Sequence, residues 1–158
     1  MKITLLVIGK TDVEYLREGI AVYMKRLKHY VNFALVEIPD VKNVTSMSPL
    51  ERTERECALL LEKHISKTAY VILLDEHGRE RSSKEFAAHL EKKIVNGVDD
   101  IIFVVGGPYG FTQALKERAN EMLSLAQMTF SHQMVRLIFV EQLYRAFTIM
   151  KGEPYHHE

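Results

Sequence analysis

The sequence predicts an α/β fold in which a mainly parallel sheet is flanked by helices. Short apolar segments alternate with segments whose apolar residues recur at helical spacing, in the order β-α-β-α-β-α-β, and this alternation favours a parallel sheet. The run Ile101–Val105 contains no polar residue, which is typical of a strand buried on both faces. With 158 residues and 47% hydrophobic content, the chain is expected to form one domain, residues 1–158.

The first third of the chain predicts two strands separated by a helix. Lys2–Ile8 is apolar enough to be the first strand, and a helix is expected from Val13 to about His29 because its apolar residues recur at helical spacing. Val31–Ile38 is the second predicted strand. The segment Pro39–Met47 shows no such pattern and is interpreted as a surface loop.

Two capping boxes predict where the next two helices begin. In Ser48–Glu51 the serine caps the helix, a proline takes the first helical position and the glutamate completes the box. This helix is expected to run to about Ser66. Ser82–Glu85 has the second box, and its helix should end at Asn96-Gly97 because glycine readily adopts the backbone conformation that closes a helix.

The other elements of the second half are assigned from apolar patterns and turn signals. Tyr70–Leu74 is predicted to be a buried strand that ends at Asp75–Gly78, and Asp100–Val105 is the next strand. Then follow a short helix from Phe111 to about Glu121 with Thr112 as its cap, an apolar stretch at Leu123–Phe130, and a final amphipathic helix at Met134–Ile149.

A glycine-rich loop follows the buried strand. Gly106, Gly107 and Gly110 allow the backbone to approach a ligand closely, because no Cβ stands in the way. Ligands of open α/β sheets bind outside the carboxyl ends of the strands, so this loop is predicted to be the floor of a site. Leu74-Asp75 and Ser124–Phe130 mark two further candidate strand ends. A simple turn is the alternative interpretation of the glycines.

The spacing of these glycines excludes two common phosphate-binding motifs. A phosphate-binding loop of the Walker type ends in Gly-Lys-Ser/Thr, whereas Gly110 is followed by Phe111 and Thr112. The dinucleotide fingerprint requires the spacing G-x-G-x-x-G, which the Gly106–Gly110 segment does not have. The loop is therefore expected to serve another kind of ligand.

Charge and cysteine content limit the possible function classes. Lys plus Arg and Asp plus Glu both number 21, giving a formal net charge of zero, so a nucleic-acid partner would need a local basic patch. Cys57 is the only cysteine, which argues for a reducing compartment and against a thiolate metal site. No apolar run approaches the ~20 residues that span a bilayer. We therefore expect a cytoplasmic protein that has neither a membrane segment nor a metal site.

The first predicted helix carries the best candidate for such a basic patch. Arg17, Lys25 and Arg26 lie on its outer face and are candidate contacts for a nucleic acid. A solvated helix face is the alternative interpretation.

The last predicted helix combines aromatic, acidic and basic residues. His132, Arg136 and Tyr144 can share one face of this helix if it begins early. Glu141 and Arg145 are four residues apart, which is the spacing of a helical ion pair. An ordinary structural ion pair is the alternative to a functional role.

The tail Pro154–Glu158 has an unusual composition for a chain end. It contains Tyr155, His156 and a second histidine behind a proline, and tyrosine and histidine can stack on a nucleobase and donate hydrogen bonds to its edges. The tail is therefore predicted to contact RNA.

Three motifs together resemble the small SPOUT-class, or trefoil-knotted, methyltransferases. They are the GGPYG loop after the buried strand, the segment SHQMVRLIFVEQLYRAFTI and the closing PYHHE, and the similarity extends from the opening MKITLLVIGK to the last residue. Within this class the chain is similar to enzymes that methylate N3 of a pseudouridine in large-subunit (23S) ribosomal RNA. The resemblance implies a C-terminal trefoil knot, S-adenosylmethionine as cofactor, and a homodimer that acts on the assembled ribosome with its site at the subunit boundary. The many large apolar residues of the helix at Met134–Ile149 also predict that this helix forms part of the dimer contact.

The resemblance also implies roles for particular residues. The implied cofactor contacts are Leu74, Gly106, Gly107, Leu125, Ala126, Gln127, Met128, Thr129 and Phe130. The implied RNA side contains His132, Arg136, Tyr144, Arg145, Tyr155 and His156. Five residues are the candidate catalytic residues: His132, Glu141, Arg145, Tyr155 and His156. The candidate substrate contacts are Arg136 and Tyr144, together with Arg17, Lys25 and Arg26 of the basic patch. We expect Tyr155 and His156 to reach the nucleotide from the subunit opposite the bound cofactor.

The N3 atom of the target base must lose a proton during methylation, which requires a proton acceptor. His156 is the favoured candidate because imidazole titrates near neutral pH, and Glu141 and His132 are the alternatives.

Two other function classes stay open at this point. One is an oxidoreductase, disfavoured by the missing dinucleotide fingerprint, and the other is a non-catalytic ribosome-binding factor.

Overall fold

A five-stranded sheet forms the centre of the computed structural model, which describes residues 1–157. The strands are β1 (Lys2–Ile8), β2 (Asn32–Ile38), β3 (Tyr70–Glu80), β4 (Asp100–Val105) and β5 (Glu121–Ser124). Their order across the sheet is β2-β1-β4-β3-β5, and every neighbouring pair is parallel. The prediction of a parallel sheet is confirmed. Glu158, the last residue of the predicted tail, lies outside the described residues.

Helices cover both faces of the sheet. They are α1 (Glu14–Leu27), α2 (Pro49–Leu59), α3 (Ser83–Val95), α4 (Gln113–Arg118) and α5 (Met134–Lys151). Helix α2 ends earlier than predicted and continues as a π-helical turn, Leu60–His64, which closes with a hydrogen bond from the backbone N–H of Ile65 to the Leu60 carbonyl oxygen. No helix formed by residues 1–157 has the length and apolar character needed to cross a membrane.

Side-chain caps begin α2 and α3 at the predicted positions. The Ser48 hydroxyl oxygen accepts a hydrogen bond from the Glu51 backbone N–H at 3.1 Å. At α3 both bonds of the capping box are formed, because Ser82 accepts from the Glu85 N–H at 3.1 Å and the Glu85 carboxylate accepts from the Ser82 N–H at 2.7 Å. The second box is therefore complete, whereas Ser48 and Glu51 form only the serine half of the first one.

Helix α4 starts at its predicted cap, Thr112, but ends at Arg118 instead of near Glu121. The reason is the pairing of Asn120 with strand β3. The Asn120 backbone N–H donates to the Val71 carbonyl oxygen at 2.8 Å, and the Asn120 side-chain oxygen accepts from the Val71 N–H at 2.8 Å. These bonds hold the chain against β3, so that β5 begins directly afterwards.

Strand β3 continues past its predicted end at Asp75–Gly78. Its pairing with β5 shifts register between Leu74 and Arg79, which is the signature of a bulge. A Cβ at Gly78 would lie 2.7 Å from the backbone carbonyl carbon of Met122 in β5, so only glycine permits this approach. The glycine that we interpreted as part of a turn allows close contact between two strands instead.

The apolar core has two parts, one on each face of the sheet. Helices α1, α3 and α5 pack on one face and α2 with α4 on the other. Strand β4 contributes side chains to both parts of the core, since Phe103 faces the first part while Ile102 and Val104 face the second. The Phe103 ring centroid is 4.6 Å from that of Phe139 in α5. The predicted burial of β4 on both faces is confirmed.

The apolar residues of α5 are covered within one chain. Phe139, Val140, Leu143 and Phe147 are buried in the core part that also contains residues of β1, α1 and α3. The wide apolar surface of this helix, on which the prediction of a dimer partly rested, is therefore explained without a partner subunit. Large apolar side chains are exposed on α1 instead, where Tyr15 is 65% and Val22 49% exposed.

Candidate active site

A cleft of about 390 Å³ lies where the carboxyl ends of β3 and β4 meet the segment after β5. These are the three strand ends that the sequence marked as candidates. All predicted cofactor contacts except the exposed Gln127 line it: Leu74, Gly106, Gly107, Leu125, Ala126, Met128, Thr129 and Phe130. Its volume falls within the range of about 300–1,000 Å³ typical of small-molecule sites.

A larger groove of about 740 Å³ lies between α2 and the segment 109–114. It is lined by none of the residues predicted to bind cofactor or substrate, and among the described residues that line it Glu54 alone is charged. A ligand site normally combines apolar walls with a few convergent polar groups. We therefore place the candidate site in the smaller cleft, which has both.

The glycines of the loop meet two different geometric requirements. A Cβ at Gly106 would lie 3.0 Å from the Phe111 ring and 3.2 Å from the Gly110 carbonyl oxygen. Gly110 has a φ of +82°, a conformation that side chains disfavour. The loop therefore folds tightly on itself beside the cleft, and a larger residue at either position would change its shape.

Two acidic residues at the end of the regular part of β3 line the same cleft. Asp75 accepts a hydrogen bond from the His77 backbone N–H at 2.8 Å, and Glu76 accepts one from the Thr129 hydroxyl. S-adenosylmethionine carries a sulfonium and an ammonium group, so carboxylates beside apolar walls and a glycine loop fit its chemistry. Within residues 1–157, no group of three or more His, Cys, Asp or Glu side chains is placed to hold a metal ion.

Four of the five predicted catalytic residues form one cluster on α5 and the tail. The Glu141 carboxylate accepts hydrogen bonds from Arg145 at 2.6 and 3.1 Å and from the Tyr155 hydroxyl at 3.0 Å. Arg145 Nη1 lies 3.0 Å from His156 Nδ1, and its guanidinium lies 4.8 Å from the centre of the Tyr155 ring. The predicted Glu141–Arg145 ion pair is confirmed and is part of a larger polar network, which we call the tail cluster.

The tail cluster determines which of its atoms can donate and which can accept protons. A guanidinium has only donors, so in the contact with Arg145 the His156 Nδ1 atom accepts. Burial, together with hydrogen bonds to Tyr23 and Glu141, raises the pKa of the Tyr155 phenol. The Tyr155 hydroxyl is therefore a hydrogen-bond donor near neutral pH.

Aromatic rings extend the tail cluster toward α1. The Tyr144 ring lies 4.8 Å from that of Tyr155 and 5.9 Å from that of Tyr23, measured between centroids. The Arg26 guanidinium lies 5.5 Å from the centre of Tyr144. Tyr144 and Arg26 thus join the tail cluster, while the predicted substrate contacts Arg17 and Lys25 are exposed on α1 outside both it and the cleft.

Arg136 does not belong to an RNA surface, contrary to the prediction. Its side chain is 1% exposed, and it donates hydrogen bonds to the carbonyl oxygens of Ile8 and Gly9 and to the Thr11 hydroxyl at 2.9, 3.0 and 2.8 Å. Glu37 lies 3.6 Å away. Burial lowers the pKa of this guanidinium. Arg136 therefore joins α5 to the end of β1 and is not accessible to a substrate.

His132 is the predicted catalytic residue that lines the cleft, and the tail cluster lies away from it. Val135 lines the cleft and Arg145 belongs to the tail cluster, and both are in α5. At 1.5 Å per residue, roughly 15 Å of helix separates them. Within one chain the cleft and the tail cluster are thus two separate sites.

Some residues of the cleft were not predicted. Val105, Phe111 and Val135 line it, and the position of Val105 at the end of a predicted strand was the available signal. The side chain of Glu56, in α2, lies against Gly107. The sequence around Glu56 is polar and gave no indication of this contact.

Comparison with known proteins agrees with this geometry. Residues 1–156 match the family described as predicted SPOUT methyltransferase. The chain is 52% identical to a ribosomal RNA large subunit methyltransferase H of Parabacteroides distasonis and 51% identical to one of Flavobacterium johnsoniae, each over 100% of both chains. The crystal structure of tRNA (m1G37) methyltransferase from Aquifex aeolicus aligns with a TM-score of 0.54 at 13% identity, covering 100% of this chain and 76% of the other.

These matches settle the class of the protein. The structural likeness shows a shared fold, and together with the family match it confirms the predicted fold class, a parallel sheet flanked by helices with the C-terminal knot of this family. The prediction of a methyltransferase is confirmed, and neither the oxidoreductase nor the non-catalytic binding factor is supported. The chain belongs to the SPOUT methyltransferase family.

Proposed function

We propose that this single-domain protein methylates N3 of a pseudouridine in large-subunit ribosomal RNA, with S-adenosylmethionine as methyl donor. The observation that carries the substrate class is full-length identity of about half with relatives named ribosomal RNA large subunit methyltransferase H. The cleft supports the cofactor. We further propose that the enzyme is cytoplasmic, works as a homodimer and acts on the assembled ribosome.

In this proposal the cleft holds the cofactor through backbone groups of three loops. The Gly106–Gly110 loop and the segment 125–130 would enclose the adenosine part, while Asp75 and Glu76 would face the cationic groups. When bound, the cofactor supplies a methyl group on a positively charged sulfur, which is already a strong electrophile. The protein must therefore position the acceptor base and manage its proton.

The tail cluster is suited to managing the proton of the acceptor base. A pseudouridine N3 lies between two carbonyl groups, so loss of its proton places negative charge on their oxygens. The Arg145 guanidinium, held by Glu141 and His156, would donate to these oxygens and stabilise the anion. His132, which lines the cleft, would accept the proton, because both Glu141 oxygens already accept hydrogen bonds.

The separation of cleft and tail cluster favours a site shared by two subunits. Because roughly 15 Å of α5 lies between them, one chain does not bring its own tail cluster to its own cleft. A homodimer would place the tail cluster of one subunit beside the cleft of the other. The exposed Tyr15 and Val22 of α1 are candidate contacts between subunits.

The proposed function is tested by transfer of a labelled methyl group to ribosomes that lack the modification. The parent should methylate assembled ribosomes in preference to isolated subunits or free RNA, and mass spectrometry should place the methyl group on N3 of a pseudouridine. Labelled ribosomal protein, or no labelling at all, would contradict the proposal.

His156→Ala tests the role of the tail cluster. It should lower the methylation rate by about 100-fold, because Arg145 loses the neighbour that holds its guanidinium toward the developing anion, while calorimetry shows unchanged binding of S-adenosylmethionine. His157→Ala is the matched control, since this neighbouring histidine is exposed and should leave the rate unchanged. Equal rates for the two variants would remove His156 from the mechanism.

A further inference from the structure

A buried carboxylate lies directly against the glycine loop of the cleft. Glu56 in α2 is 2% exposed and does not itself line the cleft. A Cβ built on Gly107 would lie 2.3 Å from Glu56 Oε1, which is far inside van der Waals contact. The carboxylate therefore occupies the space that a side chain at position 107 would need, and no step of the proposed reaction uses it.

The position of this carboxylate is fixed by a neighbour on the same helix. Arg52 Nε donates to Glu56 Oε2 at 3.3 Å, one helical turn away. Burial raises the pKa of the Glu56 carboxyl group, and the hydrogen bond and charge of Arg52 oppose that change. A buried acidic group next to a backbone is costly unless it is paired, so the pair is built to keep Glu56 in place.

Helix α2 also contacts the other end of the loop. The sulfur of Cys57, the residue after Glu56, accepts a hydrogen bond from the Thr112 backbone N–H at 3.4 Å. The helix thus touches the loop at its start, through Gly107, and just after its end, through Thr112. Both ends of the segment that forms the floor of the cleft are set by adjacent residues of one helix.

We propose that Glu56 is a positioning residue that holds the Gly106–Gly110 loop in the shape that binds the cofactor. It acts through the Gly107 backbone and makes no contact with the bound molecule. This inference rests on the proposed function, because it assumes that the cleft binds S-adenosylmethionine. Its physical basis is that a loop held in its binding shape loses less conformational freedom on binding.

The experiment measures S-adenosylmethionine affinity by calorimetry in the full-length protein. Glu56→Ala should weaken binding about tenfold or more, because small displacements of a binding segment have large effects. Glu56→Gln keeps the shape and can still accept from Arg52, so it should bind within about threefold of the parent. Glu54→Ala, an exposed change on the same helix, should bind like the parent.

A second pair of variants tests the contact itself. Gly107→Ala should displace the carboxylate and weaken binding as Glu56→Ala does. If the two substitutions act through the same contact, the double variant should bind S-adenosylmethionine no more weakly than whichever single variant has the lower affinity. The reason is that the new methyl group at position 107 fills the space that the Glu56 carboxylate has left. Independent effects would multiply instead and would overturn the inference.

Kinetics separate positioning from a general loss of structure. In Glu56→Ala the KM for S-adenosylmethionine should rise while kcat at saturation and the KM for ribosomes stay close to the parent values. If Glu56→Ala does not fold, Gly107→Ala decides the matter, and parent-like affinity in that variant would overturn the inference. A parent that does not bind S-adenosylmethionine would overturn the proposed function as well.

Discussion

Arg136 places a positive charge in the interior, and its surroundings explain how the fold accommodates it. Its guanidinium donates to the Ile8 and Gly9 carbonyl oxygens and to Thr11, with the Glu37 carboxylate 3.6 Å away. A buried charge is tolerated only when it is paired and hydrogen-bonded. Loss of this side chain would leave acceptors at the end of β1 without donors.

Arg136→Met should therefore lower the free energy of unfolding by about 3–5 kcal/mol, the cost of breaking a buried ion pair from one side. Urea denaturation at neutral pH measures the change. Arg17→Met is the control, since Arg17 is exposed and surface changes usually stay within about 0.5 kcal/mol. Similar midpoints for the two variants would mean that Arg136 is dispensable to the fold.

At the scale of elements, the end of α5 is joined to the segment after α1. The Tyr30 hydroxyl donates to Glu153, and the Tyr30 ring stacks on that of Phe147 with centroids 5.9 Å apart. The hydrogen bond to Glu153, followed by burial, raises the pKa of Tyr30 to about 12. This contact fixes the point from which the tail departs toward Glu141 and Arg145.

A pH dependence follows from this contact. Because the pKa of Tyr30 is raised on folding to about 12, its contribution to stability is present below the unfolded value of about 10 and is lost as the pH rises from there toward 12. The difference between near-ultraviolet titrations of the parent and Tyr30→Phe should have its midpoint at about 12. A midpoint near that of a free tyrosine would show that the hydrogen bond does not form in solution.

Elements whose causes are local were predictable from the sequence. The cap of Ser82 and the burial of β4 depend on residues within a few positions, and the glycines of the loop marked the cleft. Gly78 was misinterpreted because its reason is contact with β5, a distant segment. Arg136 was wrongly assigned to the RNA side, and Glu56 was not predicted to lie beside the cleft. Charge alone does not indicate burial, which depends on the packed fold.

At the scale of the whole molecule, a shared active site makes a quantitative prediction. Gly106→Val should abolish cofactor binding, because its side chain would meet Phe111 and the Gly110 carbonyl group, and His156→Ala should impair the tail cluster. Each variant alone should be nearly inactive. Mixed dimers of the two contain one intact site of two if the cleft and the tail cluster come from different subunits, so mixed dimers freed of both homodimers should regain about half of the parent activity.

The mixture is made by co-expression with two different affinity tags, and mixed dimers are isolated by tandem purification. Light scattering at micromolar concentration should give twice the mass of one chain. A mixture as inactive as its components would mean that each subunit uses its own tail. A monomeric mass would exclude the shared site altogether.

The sheet order β2-β1-β4-β3-β5 and the packing of α5 also constrain how the protein is made. Ile3 and Leu5 of β1 are buried in the same part of the core as Phe139 and Leu143 of α5, so the first strand cannot be fully covered until the last helix has left the ribosomal exit tunnel. A nascent chain therefore exposes apolar surface through nearly its entire synthesis. Because most strand pairings join distant segments, we expect slow folding after release and dependence on chaperones during translation.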